Sequence, residues 1–480
     1  MEFKFDFDKD RLEKLKVLKD NGYMPYGERY EVLHSTIKIR ENFEKLNGVD
    51  TKVAGRVISR RDHGKLKFMD IADESGTIQI YITESDLDER SAFLLHYLDV
   101  GDIIGAAGQI IRTKTGEISI HAKNLTLLSK SLLALPPRWY GLEDTEKRYR
   151  KRYLDFALNP ESREKIIKGS RMLATIRDFL QKKGFIEVTV PLLHPIAGGT
   201  NAKPFITHYN SLDRDFYLKI ASELYLKRML VGGFERIFDI SKNLRNEGID
   251  TKHNPEFIAM ELYQAYGDLG DMMVITEELI KAVALAVNKA HITEFGGNMI
   301  DFSKFYVKTM EDSVKDALKE TSHAVLIEKA KKIDGKVNTY GDAINTLFGE
   351  YVEKKLIQPT FITRFPVEVS PLAKSMEDDK RFVYRFELYI GGMEIANAFS
   401  ELNDPIEQIA RFNEEARRKE RGIDETQEFD KDFIEALGYG MPPAGGLGIG
   451  LDRLQMLITN AKSIKEVIAF PQLRTLEDEK

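Results

Sequence analysis

The amino-acid sequence predicts an α+β protein of more than one domain, and three observations carry that expectation. Residues 51–128 hold five short alternating strands separated by turn residues, the pattern of a small β-barrel. From residue 151 onward, segments of helical periodicity alternate with antiparallel strand hairpins, which points to an antiparallel sheet flanked by helices. The stretch 445–454 reads Gly-Gly-Leu-Gly-Ile-Gly-Leu-Asp-Arg-Leu. On a strand, Gly446, Gly448 and Gly450 share one face, while Leu447, Ile449 and Leu451 share the other. A strand bare along one face makes room for a ligand or for another backbone.

With 480 residues the chain is long enough for two or more domains with buried cores. Hydrophobic residues at 42%, charged residues at 31% and a net charge of −6 are ordinary for a globular protein and exclude one that is basic throughout. Nucleic-acid contact must then come from local patches or aromatic stacking. The lack of cysteine excludes disulfides, thiolate nucleophiles and cysteine zinc sites, and it fits a reducing, cytoplasmic setting. Residues 1–10 mix Phe with Lys and Asp, unlike a signal or transit peptide. No apolar run reaches the roughly 18 residues of a membrane span.

In chain order, Leu12, Leu15 and Leu18 predict an amphipathic helix over 9–20, stopped by Asn21-Gly22, within an N-terminal helical extension of residues 1–50. Strands at 53–59, 67–72, 77–83, 102–111 and 118–128 then suit a closed barrel of the OB type over residues 51–135. The exposed strand face of such barrels often binds oligonucleotides. Arg60, Arg61, Lys65 and Lys67 form a basic cluster, Phe68 offers a stacking ring, and Gln79 offers an amide able to read a base edge. Taken alone, a phenylalanine such as Phe68 more often belongs to the barrel core. Pro136-Pro137 and the charged run 143–152 read as a linker over 136–150. A long helix follows at 161–183 and ends at Gly184; the strand 185–190 is cut by Pro191, which places it at a sheet edge or an interface.

The strands beyond it carry the chemistry. In 236–246, Asp239, Ser241, Asn243 and Arg245 share a face, with Glu247 following; in 257–264, Phe257, Glu261 and Tyr263 share one. Two carboxylates beside an arginine on strands are costly unless exposed, paired or employed. The loop 248–256 between them holds Lys252, His253 and Asn254. Residues 268–350 read as mainly helical and polar, an insertion or a helical flank. A strand at 361–369 precedes a hairpin of 382–390 and 393–399 about Gly391-Gly392, with Glu387, Glu394, Asn397 and Glu401 within fifteen residues. Such a cluster suits a hard cation such as Mg²⁺, and exposed acidic positions give the same pattern. Strict alternation puts Glu394 opposite Asn397 and Glu401, so a shared site requires a bulge between them. Leu454, Leu457 and Ile458 are at helical spacing, which puts Arg453 in a first helical turn, where a cation opposes the helix dipole and answers to an anionic or π-rich partner.

Three separated stretches resemble the signature motifs of class II aminoacyl-tRNA synthetases. Gly184-Phe185-Ile186-Glu187-Val188-Thr189-Val190-Pro191 resembles the first, Leu244-Arg245-Asn246-Glu247 the second and 446–453 the third, in the expected order. Within the class the chain is similar to lysyl-tRNA synthetases over nearly its whole length. The phrases that carry this are Ile196-Ala197-Gly198-Gly199, Glu223-Leu224-Tyr225-Leu226-Lys227-Arg228, Val231-Gly232-Gly233-Phe234-Glu235-Arg236, His253-Asn254-Pro255-Glu256-Phe257 and Phe399-Ser400-Glu401-Leu402-Asn403-Asp404.

The resemblance implies an anticodon-binding OB domain, a class II catalytic domain over 151–480, and ATP-dependent activation of L-lysine with transfer to the 3′ end of tRNA(Lys). It also implies a homodimer with 184–191 in an isologous interface, and no membrane partner. Arg245 and Arg453 would be the catalytic residues, at the α-phosphate and toward the γ-phosphate of ATP. Phe257 would pack on the adenine, with Glu247, His253, Asn254 and Gly450 around the nucleotide, and Glu387 and Glu394 would hold Mg²⁺. Glu223 would take the α-ammonium of lysine; Tyr263 and Glu401 would meet its ε-ammonium; Gly199, Glu261, Asn397 and Phe399 would shape that pocket. Phe68, Gln79 and Glu117 would read the anticodon.

Attack of a carboxylate on the α-phosphorus needs alignment and charge neutralisation rather than an enzyme nucleophile, which agrees with the lack of a Ser/His/Asp set. Two positions depart from the family pattern: Leu244 stands where an aromatic is usual, and Ser222 where proline is. An aspartyl or asparaginyl enzyme is the nearest alternative, but it would need a cation where Tyr263 and Glu401 stand. A non-catalytic RNA-binding relative is the other, and loss of Arg245, Arg453 or the metal carboxylates would favour it.

Overall fold

The computed structural model describes residues 5–136, 144–421 and 428–474. The chain divides into two compact units, Met1–Thr145 and Glu146–Lys480. In the first, helix α1 (Lys9–Asp20) starts on Asp8, whose carboxylate accepts the Arg11 N–H at 3.2 Å, and it stops before Gly22, where φ is 74°. Strands β1 (Asp50–His63), β2 (Leu66–Ala72), β3 (Thr77–Thr83), β4 (Ile103–Arg112) and β5 (Ile118–Ser129) close a barrel in the order β1-β2-β3-β5-β4. Only β3 and β5 pair in parallel. Alternation works as the pattern requires: Ile78, Ile80 and Ile82 of β3 all point into the core. Leu18, Ile39 and Phe43 pack into the same core, so the N-terminal helices share the barrel's hydrophobic interior. Of the linker expected at 136–150, residues 137–143 lie outside the described residues, and Thr145–Arg150 is helical.

The second unit is built on an eight-stranded sheet. Helix α2 (Pro160–Lys182) takes Pro160 in its first turn, where the missing N–H costs nothing, and ends before Gly184 at φ 82°. The sheet strands are β6 (Ile186–Glu187), β7 (Arg236–Leu244), β8 (Glu256–Ala265), β9 (Tyr306–Thr309), β10 (Thr360–Pro366), β11 (Phe382–Ile390), β12 (Met393–Ser400) and β13 (Ala444–Gly450). Their order is β9-β10-β11-β12-β13-β8-β7-β6, antiparallel through the middle and parallel at the two edges. Gly391 and Gly392, with φ 62° and 69°, form the two-residue turn between β11 and β12. The expected strand at 185–190 shrinks to the two residues of β6 at the sheet edge.

One face of the sheet, including Phe238, Met260, Leu262, Ala398, Leu447 and Ile449, packs on α2, on α4 (Leu269–Asn288) and on α5 (Leu451–Thr459); α3 (Glu223–Val231) lies in a separate cluster with Tyr263. The segment 268–350, expected as a mainly helical insertion or flank, is mainly helical, and its first helix flanks the sheet. Met272, Leu279, Ile280 and Val283 of α4 belong to the main core, and β9 extends the sheet. The polar sequence around them hid an apolar stripe on one helix and a four-residue edge strand. Helices Met310–Leu318, His323–Ile333 and Tyr340–Tyr351 contribute to a smaller core of their own. Among the described residues no helix is long and apolar enough to cross a membrane.

Candidate active site

The other face of the sheet carries a cavity of about 420 Å³. Strand register explains how the sequence makes it. Gly446 pairs with Phe399 and Tyr263 on its two sides, and Gly448 with Asn397 and Glu261. Asn397 in turn pairs with Glu387, and Glu261 with Asp239, so one row reads Glu387, Asn397, Gly448, Glu261, Asp239 across five strands. The glycine stripe is therefore a bare floor between polar walls. On the hairpin, Ala396 pairs with Leu388 but Glu394 with Tyr389, which leaves Ile395 as a one-residue bulge. That shift turns Glu394 onto the face of Asn397.

Around Gly450 the cavity is cationic. Arg245 donates its backbone N–H to Pro255 O at 2.8 Å, and its guanidinium carbon sits 5.1 Å from the centre of the Phe257 ring. Its Nε is buried without a partner, and burial pulls its pKa down against the pull of Glu247, Glu394 and Glu261. A buried guanidinium with an unused donor is poised for an anion. Arg453, in the first turn of α5, donates through Nη1 to Glu394 O at 2.9 Å and lies 3.4 Å from the Glu394 carboxylate. Its Nη2 is 2.8 Å from His253 Nε2, and His253 Nδ1 is 2.8 Å from Asp250 Oδ2. A carboxylate only accepts, so Nδ1 carries the proton and Nε2 accepts from Arg453. Asn254 donates to Glu256 O at 2.6 Å while its Oδ1 is buried without a partner. Glu247 and Gly450 also line this part of the cavity.

Glu387 accepts from Arg385 Nη2 at 2.5 Å and from the Tyr389 hydroxyl. Burial pushes its pKa up to about 7, opposed by Arg385 and reinforced by Glu394. Arg385 also donates to Asn397 Oδ1 at 3.0 Å and to Val369 O at 2.7 Å, fixing the wall between the two halves of the cavity.

Around Gly446 three carboxylates converge. Glu261 accepts the Ser222 N–H at 2.9 Å, and burial pushes its pKa up to about 7. Glu223 heads α3 and lines the cavity beside Gly199, whose φ of 93° lets the loop pass close to Glu223 and Ala221. Glu401, 1% exposed, lies against Gly446 on the cavity face: a Cβ on Gly446 would overlap its Oε1 and come within 2.5 Å of the Tyr263 ring. Burial pushes Glu401 up to about 8, with Lys227 opposing, and the Tyr263 hydroxyl is raised by burial and by these carboxylates. The Lys227 Nζ is 2.6 Å from Glu223 and 2.5 Å from Glu401. Where the family pattern has proline, Ser222 donates through Oγ to Asp239 at 2.6 Å, which anchors the start of α3.

The cavity thus brings together the nucleotide, lysine and metal residues expected from the sequence, except that Glu401 stands behind its lining. Three residues escaped the sequence reading. Lys227 was signalled by its position four residues after Glu223 on a helix, Arg385 by sharing a strand face with Glu387, and Asp250 by its place three residues before His253.

On the barrel, Phe68 is half-buried and outside the core; His63, Phe68, Tyr81 and His121 form a ladder of edge-on rings with centroids 5.2 to 6.1 Å apart. Gln79 accepts from Ser119 Oγ at 2.9 Å, and Glu117 is paired with Arg40 at 3.1 Å. The expected basic cluster is largely neutralised. Arg60 and Lys67 approach Asp62, Arg61 approaches Asp70, and Arg60 also donates to Leu95 O and Leu98 O.

Comparison with known proteins agrees with this architecture. The family of tRNA synthetases class II (D, K and N) matches residues 144–474, and that of the OB-fold nucleic acid binding domain matches residues 51–128. The chain is 48% identical to the lysine–tRNA ligase of Syntrophomonas wolfei subsp. wolfei, covering 98% of this chain and 97% of that protein. It is 49% identical to that of Carboxydothermus hydrogenoformans, with 97% of each covered. For Pelotomaculum thermopropionicum the identity is 48%, over 97% of this chain and 94% of the relative.

Proposed function

The chain belongs to the lysine–tRNA ligase family of class II tRNA synthetases, and from that premise we propose how its own residues perform the reaction. The enzyme activates L-lysine with ATP and transfers the lysyl group to the 3′ end of tRNA(Lys). The observation that carries the assignment of the cavity is its polarity: a buried carboxylate cluster around Gly446, and two arginines, one with an unused buried donor, around Gly450.

Glu223 takes the α-ammonium of lysine, and Glu401 with Tyr263 takes the ε-ammonium, while Glu261, Gly199, Asn397 and Phe399 set the pocket's shape. A neutral amino acid leaves these carboxylates unpaired, which is the physical basis of discrimination. The lysine carboxylate, left facing the Gly450 side, attacks the α-phosphorus of ATP; one P–O bond forms, another breaks, and pyrophosphate leaves. Arg245 neutralises charge on the α-phosphate and Arg453 on the γ-phosphate side, positioned by His253 and Glu394. Phe257, Glu247, Asn254 and Gly450 frame the nucleotide. The 3′-terminal hydroxyl of the tRNA then attacks the lysyl carbonyl and AMP leaves.

Glu387 and Glu394 fit Mg²⁺ by their chemistry. Two carboxylates on one face, Glu394 adding to the cost of ionising Glu387, suit a hard cation that completes its shell with phosphate and water. When bound, the ion supplies charge neutralisation at the phosphates. The ring ladder through Phe68, with Gln79 and Glu117 near it, supports anticodon reading by stacking rather than by charge. Exposed Ile186, Leu192 and Leu193 around the short edge strand support a homodimer through 184–191. A chain without cysteine fits the cytoplasm.

Pyrophosphate exchange into ATP, run with each standard amino acid in turn, tests the assignment. Exchange with lysine alone is expected. Exchange with aspartate or asparagine instead would overturn the pocket assignment, and none with any amino acid would overturn the activity.

A further inference from the structure

Lys227 stands in the middle of the pocket that the preceding reading assigns to lysine, and nothing in that reading gives it a task. It projects from the second turn of α3, one helical turn after Glu223, and its side chain has no exposed surface. Its ammonium touches Glu223 Oε1 at 2.6 Å and Glu401 Oε2 at 2.5 Å, while Glu401 Oε1 stays unpartnered above it against Gly446. These two carboxylates come from different elements: one heads a helix, the other follows strand β12 by a single residue. A burial this complete is tolerated only with paired charge.

We propose that Lys227 is a positioning residue for amino-acid selection: its ammonium locks Glu223 and Glu401 in place and cancels one of the pocket's three carboxylate charges. Glu223, Glu261 and Glu401 carry three negative charges when ionised, and Lys227 leaves two. Free lysine brings two ammonium groups. The pocket is thus matched in charge to the two ammonium groups of one amino acid rather than over-supplied with carboxylate. The inference rests on the lysine-pocket reading and deepens it.

The other charged or titratable groups facing this cluster are Glu261 and Tyr263 on β8, with Lys219 and Asp239 behind Ser222. Among them Lys227 is the cation that opposes the rise in the Glu401 pKa. Without it, Glu401 holds its proton to higher pH and cannot accept the substrate's ammonium at neutral pH. Lysine binding then recovers as pH rises.

The test is pyrophosphate exchange by the full chain from about pH 6 to about pH 9, for wild type, Lys227→Met and Lys227→Met with Glu401→Gln, with thermal unfolding alongside. The expected result for Lys227→Met is a lysine KM raised at least about tenfold at neutral pH, an ATP KM within about twofold, and a pH profile displaced upward. The double variant is expected to unfold at higher temperature than Lys227→Met alone, because it removes the carboxylate left without its counter-ion. A Lys227→Met enzyme with unchanged lysine KM and pH profile overturns the proposal. So does a double variant no more stable than Lys227→Met, or one that fails to fold, since either assigns Lys227 to packing. If wild type itself does not exchange with lysine, the functional reading has failed rather than this inference.

Discussion

Substituting Gly446 by alanine adds one methyl group to a floor that has no room for it. The new carbon would overlap Glu401 Oε1 and stand 2.5 Å from Cε1 and 2.9 Å from Cδ1 of Tyr263. Both neighbours are buried, at 1% and 4% exposure, so neither swings away into solvent. Overpacking of this kind costs about 1–3 kcal/mol. Taken at the pocket, that is a loss of about 5- to 150-fold in lysine affinity, at about 1.4 kcal/mol per factor of ten. Gly450 is the internal control. A methyl group there finds its nearest neighbours, Arg453 Cδ and Ile395 O, at 3.9 Å, so the free enzyme accommodates it and only the nucleotide meets it. The assay is pyrophosphate exchange with lysine and ATP varied separately, with thermal midpoints recorded. Gly446→Ala is expected to raise the lysine KM, and Gly450→Ala to raise the ATP KM without loss of stability. An unchanged lysine KM in Gly446→Ala, or the reverse pairing of variants and substrates, would refute the two-part floor.

Other outcomes follow from the same geometry. Glu401→Gln keeps the shape but removes the charge, so the lysine KM should rise by about 10- to 100-fold with ATP KM nearly constant; steady-state exchange kinetics measure this. In wild type, Glu261 and Glu401 have pKa values raised to about 7 and about 8, so their protonated forms persist at neutral pH and lysine KM should fall as pH rises through that window. The sign for stability is the opposite. Both groups hold their protons more tightly folded than unfolded, so their contribution is full below the unfolded carboxyl pKa and is lost as pH rises through about 8; calorimetry at saturating lysine should recover it. Asp250→Asn removes the acceptor that sets the His253 tautomer and should raise ATP KM severalfold, leaving lysine KM alone. Phe68→Ala should weaken tRNA binding by about 1–3 kcal/mol while amino-acid activation stays at the wild-type rate, as filter binding and exchange assays together would report.

Much of the site was legible because its signals are local. The glycine stripe, the Gly391-Gly392 turn and the one-face arrays of Arg245 and Glu261 follow from strand period alone, and their partners could be named before any register was known. Glu401 was less legible. Its face follows from the strand period, but how deeply its carboxylate is buried depends on what surrounds it, and here that is Lys227 and the space left by the absent side chain of Gly446. The neutralisation of the basic cluster on the barrel was hidden for a related reason. Charge read along the chain omits Asp70, which strand pairing brings beside Arg61.

The sequence by itself determined the elements and their faces: helix Lys9–Asp20 with its cap and stop, the five barrel strands, the two hairpins and the bare strand leading into a helix at Arg453. Those features are set by side-chain period and by residues that tolerate only certain backbone angles, and neither depends on a distant neighbour. Only the tertiary structure decided where Ile395 bulges, that Leu269–Asn288 belongs to the core, and that Lys227 joins Glu223 to Glu401. Each of these is a choice among arrangements that the local sequence permits equally. It is settled by packing and charge pairing between residues far apart in the chain, whose energies appear only when the sheet has assembled.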